Sequence, residues 1–181
     1  REHAREALAA VDAAGLEPTV VNGAPCVNWR SPVRTGAVLR GSGDICVVEV
    51  DESDRSLLNF EPTHAIVSNS SADHFSLGET DALFDEFLGK VSGHALDGRR
   101  DAEPVPAIDE GEWSCTFSFR GRVATLPHPG RHNAINAWHA LRMAEMLGAG
   151  LDKCVGALAD FRGIKRRLEL VGTRGDGVRV I

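Results

Sequence analysis

The chain has 181 residues, of which 43% are hydrophobic and 25% charged, and its formal net charge is −6. Those proportions suit one soluble globular domain with room for a small appendage. Acids and bases are interspersed under a negative balance, which argues against a nucleic-acid or anionic-membrane surface, and no apolar run reaches the length of a membrane span.

The first residues, REHAREALAA, lack the apolar core of a signal peptide. Cys26, Cys46, Cys115 and Cys154 stand far apart with no C-x-x-C pair. Free thiols in a reducing cytosol are therefore expected, rather than disulfides or a zinc site. Arg1 opens inside a helical pattern and Ile181 closes an apolar run, so a piece of a longer protein is expected.

In chain order, Ala4, Ala7, Leu8, Val11 and Ala14 predict an amphipathic helix over 2–14, stopped at Gly15. Thr19-Val20-Val21 predicts a strand. Residues 24–43 read as loop, with Trp29, Arg30 and Arg34 either on the surface or in contact with substrate. Ile45-Cys46-Val47-Val48 and Ala65-Ile66-Val67 are short apolar runs. They fit strands of a parallel sheet buried on both faces. Ser56-Leu57-Leu58 and Phe60 suggest a helical turn between them. Leu83, Phe84, Phe87 and Leu88 predict a helix over 79–88, which completes a strand–helix alternation.

Residues 92–112 carry no period and read as a flexible loop or excursion. Cys115, Phe117 and Phe119 alternate before Arg120-Gly121, which predicts a hairpin over 114–126. Ile135, Trp138, Leu141 and Ala144 lie along one stripe of a helix over 133–147. Asp152 fits the cap of another helix that Gly163 ends. Leu168, Leu170, Val178 and Val180 suggest a terminal hairpin. The fold class is α/β: three layers, a mostly parallel sheet and a β-hairpin excursion within 92–126.

The candidate site residues follow the strand ends, because ligands of open α/β sheets bind outside the carboxyl ends of strands. Glu49 follows the first buried run. It fits an acid that holds Mg²⁺, or a solvated strand end. Asp51, Glu52 and Asp54 read as a solvated acidic turn. His74, beside Asp73, fits a metal ligand or base, or a surface residue. Hard oxygens with an imidazole suit a divalent cation bridging to phosphates. Asn133 and Asn136 lie one turn apart and suit a purine edge, although N-capping by Asn133 is sufficient on its own. Arg166-Arg167 fits a phosphate clamp or a basic helix end.

Four motifs occur in one order: E-V-D-E-S-D at 49–54, P-x-x-A-I-V-S-N-x-x-x-D-H at 62–74, G-R-H-N-A-I-N-A at 130–137, and F-x-G-I-K-R-R-L-E-L-V-G at 161–172. Together they resemble the central ATP-binding domain of the Mur ligases, a P-loop-NTPase-like fold. The resemblance covers more than half the chain and implies one partial domain over 1–181. It implies Mg²⁺ ligands at Glu49 and His74, ATP-binding residues at His132, Asn133 and Asn136, a phosphate-side arginine at Arg167, and a substrate contact at Asn69.

The activity it implies is ATP-dependent amide-bond formation in peptidoglycan precursor synthesis, adding L-alanine to UDP-N-acetylmuramate through an acyl phosphate. The alternatives are a tripeptide-recycling or folate-type ligase, or a truncated non-catalytic domain. The family's glycine-rich phosphate loop and its flanking N- and C-terminal domains are not among these residues. By itself the chain is therefore expected to be inactive.

Overall fold

The computed structural model describes residues 15–29, 31, 35–101, 106–164 and 171–180. The helix expected over 2–14, and Arg30, Arg34, Arg166, Arg167, Leu168 and Leu170, lie outside them.

Thr19–Val21 forms β1, which pairs antiparallel with β2 (Val38–Leu39) and parallel with β3 (Cys46–Val48). β2 falls in the stretch read as loop, because two residues are too few to show a period. Ala65–Val67 forms β4, parallel to β5 (Ala95–Asp97). β5 and β6 (Ile108–Glu110) replace much of the expected excursion over 92–112. Each has three residues with a single apolar residue turned inward or half-buried, so neither leaves a readable alternation.

A second correction concerns β3. Cys46 and Val48 are exposed and Val47 is only half-buried, although the run reads as a strand covered on both faces. The parallel strands form two separate groups, β2-β1-β3 and β4-β5. No described strand pairs with the outer edge of β3 or with the facing edge of β4.

Between β3 and β4 the chain makes a 3-10 turn at Ser56–Asn59. After β4 comes α1 (Leu77–Leu88). It starts two residues earlier than the apolar stripe predicts, because Ser76 and Glu79 form a capping box. The Glu79 N–H donates to Ser76 Oγ at 3.4 Å and the Ser76 N–H to Glu79 Oε2 at 3.1 Å, satisfying two donors that the first turn leaves open. Leu83 and Phe87 of α1 bury themselves against Leu57, Ala65 and Val67 in a small core.

The larger core is built on β7 (Cys115–Phe119) and β8 (Arg122–Leu126), a hairpin that β6 extends to three strands. Arg120 and Gly121 at its turn both have positive φ, 48° and 77°, which matches the twist of the flanking strands. The alternation puts Cys115, Phe117, Phe119, Ala124 and Leu126 inside. Two helices cover them, α2 (Arg131–Met146) and α3 (Leu151–Ala159). Trp138 meets Phe117 and Phe119 edge-on at 6.4 and 5.1 Å. Full burial of residues such as Phe119, Leu126, Leu141 and Leu158 contributes about 1.5–3 kcal/mol each. α3 is capped by Gly150. Asp152 is drawn instead to the Arg122 guanidinium at 2.6 Å. Near the C-terminus, β9 (Gly172–Thr173) and β10 (Arg179–Val180) pair antiparallel; Val180 falls in a strand as expected, whereas β9 lies in the stretch expected to be the turn.

Candidate functional site

The chain leaves β3 through Glu49, which is half-buried. Its Oε2 accepts the Gly23 N–H at 2.8 Å and so ties the loop after β1 to the end of β3. Asp51 accepts the Ser53 N–H at 2.7 Å. Asp54 accepts the Ser56 N–H at 2.9 Å, and hydrogen bonds from Ser56 hold its carboxyl below the usual range. Asp54 thus serves the start of the 3-10 turn. Asp51 and Glu52 stand between the end of β3 and that turn, and His74 lies beyond the end of β4. Among the described residues, these three offer ligand atoms that all lie within 4.8 Å of one another.

Glu49 is not a member of that group. The sequence reading pairs Glu49 with His74 and sets Asp51 and Glu52 aside as solvated acids, whereas the structure groups His74 with Asp51 and Glu52. The signal in the sequence is their position two and three residues after Glu49, on one turn. Two carboxylates and an imidazole form a donor set that suits a hard divalent cation.

A cavity of about 1050 Å³ opens between β3 and β4, and Glu49, Glu52, Asn69 and Asp73 are on its wall. Asn69 is exposed there, and Asp73 accepts a hydrogen bond from Ser71 Oγ at 2.8 Å.

The second part of the candidate site is the start of α2. Gly130 is the N-cap, with φ 98°. That value favours glycine, and a side chain there would meet His132 Cε1 at 2.6 Å. Asn133 therefore stands inside the first turn rather than at the cap, and its Nδ2 donates to Pro129 O at 2.7 Å. Asn136 is 2% exposed, whereas His132 is exposed. Arg167 lies outside the described residues.

Two histidines withdrawn from solvent, His128 half-buried and His139 buried, escape the sequence reading. His128 packs on Phe161 with ring centroids 5.4 Å apart, and burial pushes its pKa down. His139, three residues beyond Asn136, is 3% exposed and also lowered by burial. It lies 3.9 Å from Asp101, which pairs with Arg142. A histidine at a helix position carries no sequence signal that tells a buried ring from a surface one.

No family model matches the chain. Its fold is shared by a solved UDP-N-acetylmuramate–alanine ligase from Thermotoga maritima, with a TM-score of 0.78 over 97% of this chain and 46% of that one at 19% identity. The architecture is therefore that of a Mur-type ligase. The UDP-N-acetylmuramate–L-alanine ligase of Mycolicibacterium gilvum is 36% identical over 77% of this chain. That of Paenarthrobacter aurescens is 33% identical over 92%. The chain belongs to the Mur ligase family. It spans only 37% and 42% of the length of those two relatives. No described helix is long and apolar enough to cross a membrane.

Proposed function

We propose that this chain is the partial central, ATP-binding domain of a ligase that adds L-alanine to UDP-N-acetylmuramate in peptidoglycan precursor synthesis. The observation that carries the reading is the 36% identity to such a ligase over 77% of the chain. The convergence of Asp51, Glu52 and His74 at the strand ends supports it.

In this reading Asp51, Glu52 and His74 hold Mg²⁺, and Glu49 adds negative charge beside them while it fixes Gly23. Mg²⁺ in that position supplies charge neutralisation at the phosphates of ATP. Asn133 is oriented by its bond to Pro129 O, so its Oδ1 accepts from the amino group of the adenine. His132 and Asn136 flank it, and Arg167 takes a phosphate. Asn69, on the cavity wall, contacts the sugar-nucleotide substrate. The substrate carboxylate attacks the γ-phosphorus and ADP leaves. The amine of L-alanine then attacks the acyl carbon and phosphate leaves. The chemistry needs the rest of the longer polypeptide, so the 181 residues alone are expected to be inactive. The cytoplasm is the proposed location, consistent with four free cysteines.

Phosphate release by the longer polypeptide tests the reading. It should require Mg·ATP, UDP-N-acetylmuramate and L-alanine together. Release with a peptide in place of L-alanine, and none with L-alanine, would mean a peptide-recycling ligase instead.

A further inference from the structure

The middle of α2 carries two ionisable side chains, His139 and Arg142, into the interior, where both are buried. Three residues apart, they are neighbours on one face of the helix. Both meet Asp101, just beyond β5. Arg142 Nη1 donates to Asp101 Oδ2, and His139 Nε2 lies 3.9 Å from the same oxygen. Burying an arginine is costly and calls for such a partner. The larger core does not use this face, because Ala137, Trp138, Leu141 and Ala144 already join α2 to β7 and β8.

The same face of α2 touches the end of β5. Gly98 N–H donates to Val67 O at 2.6 Å. A Cβ on Gly98 would stand 2.3 Å from Ser68 O and 2.6 Å from His139 Cε1, so only glycine fits between them. The His139 ring is therefore one glycine away from the residues that end β4. Asn69 follows Ser68, and Asn136 precedes His139 by one turn. The contact thus lies between two parts of the candidate site, the crevice after β4 and the start of α2. It also spans the two cores, since Val67 belongs to the smaller and Trp138 and Leu141 to the larger.

We infer that Asp101, His139 and Arg142 are positioning residues that fix the start of α2 against the residues after β4. They act through Asn136 and Asn69, not on the reacting atoms. The Asp101–Arg142 pair ties the segment after β5 to the helix, because neither charge tolerates burial alone. His139 sets how closely α2 approaches β5, because Gly98 and Ser68 leave its ring no room to advance. In the ligase reading, on which the identity of the reactants rests, this spacing holds the γ-phosphate of ATP at attack distance from the substrate carboxylate. A misplacement of about 1 Å at such a distance costs up to about 10²-fold in rate.

The test uses the longer polypeptide. Asp101→Ala alone leaves Arg142 buried without its carboxylate and is expected to fold poorly. Asp101→Ala combined with Arg142→Met removes both charges and should keep the urea midpoint near wild type. That double variant should keep KM for ATP and for UDP-N-acetylmuramate within about twofold, because each subsite stays on its own element, and lose about 10–10²-fold in kcat. Asp101→Asn keeps an acceptor for Arg142 and should recover most of kcat. Nitroxides at Ala72→Cys and Arg131→Cys, both exposed positions, with Cys46→Ser, report the spacing without turnover. Their distance distribution should be narrow in the wild-type background and shifted or broader in the double variant. An unchanged distribution would overturn the inference. So would wild-type kcat in the folded double variant, or a raised KM for ATP with kcat intact, which would mean that the cluster serves binding alone. No phosphate release by the wild-type polypeptide with these substrates would overturn the ligase reading, and the distance measurement would still decide the spacing.

Discussion

Glu49 has two tasks that a single substitution separates. Its Oε2 accepts the Gly23 N–H, and its charge lies on the turn that carries Asp51 and Glu52. Glu49→Gln keeps an oxygen for Gly23 and removes the charge. In the longer enzyme it should lower kcat by about 10²–10³-fold, the usual effect of losing one charge-stabilising group, and leave the urea midpoint near wild type. Wild-type turnover in Glu49→Gln would exclude an electrostatic role. Glu49→Ala should cost a further ~1 kcal/mol of stability, because a backbone donor loses its acceptor. His139 gives a second test at this scale. Burial lowers its pKa, so the unfolded chain binds the proton more readily. Stability should therefore fall as pH drops below the ordinary histidine value of about 6.5. His139→Leu should flatten that part of the urea–pH profile, and an unchanged slope would mean that the ring is not a buried neutral group. That Glu49 and His74 come after strands was legible in the sequence, because each follows an apolar run. The grouping of His74 with Asp51 and Glu52 was not, because it brings together residues more than twenty positions apart.

At the scale of elements, β5 is held to α1 by charge rather than by apolar area. The Arg99 side chain is only 5% exposed and reaches Asp97 at 2.8 Å, Asp85 at 2.7 Å and Asp81 at 3.1 Å. Arg100 adds a second cation on Asp85. Arg99→Met takes the shared cation from Asp81 and Asp97 and leaves Arg100 on Asp85; the carboxylates are open to solvent, so the fold should lose about 1 kcal/mol at pH 7. Ser70 and then Arg99 lower the pKa of Asp81; Arg100 and then Arg99 lower that of Asp85. A lowered carboxyl stabilises the fold above its unfolded value of about 3.9 and loses that contribution as pH falls through its folded value. Wild-type stability should therefore decline below about pH 4, and the Arg99→Met profile should be flatter there. Parallel profiles would mean that the network contributes nothing. This network explains why β5 could not be read from sequence: its only buried apolar residue is Leu96, and beyond its ladder to β4 its tie to α1 is ionic. α1, α2 and the β7–β8 hairpin were legible because each is long enough to show a period. β2 and β6 were not, at two and three residues.

At the scale of the whole molecule, the order of β1, β3, β4, the β7–β8 hairpin and the helices follows from the apolar pattern, and the break in the sheet does not. Short apolar runs identify strands without saying which edges find partners, so the open edges of β3 and β4 emerge only in three dimensions. Two separate sets of buried residues then have a dynamic consequence. One set gathers around β7, β8, α2 and α3; the other joins Leu57, Ala65, Val67, Leu83 and Phe87. With no buried residue in common, they are able to come apart in sequence rather than together. Native-state hydrogen exchange should resolve two cooperative units, with amides of β4 and α1 opening at lower free energy than those of β7 and α2. A single opening free energy for all four would mean one unit. His74 and Asn69 sit on the weaker unit. A ligand bound there at a hundred times its Kd should raise that unit's opening free energy by about 2.7 kcal/mol and leave the stronger unit nearly unchanged.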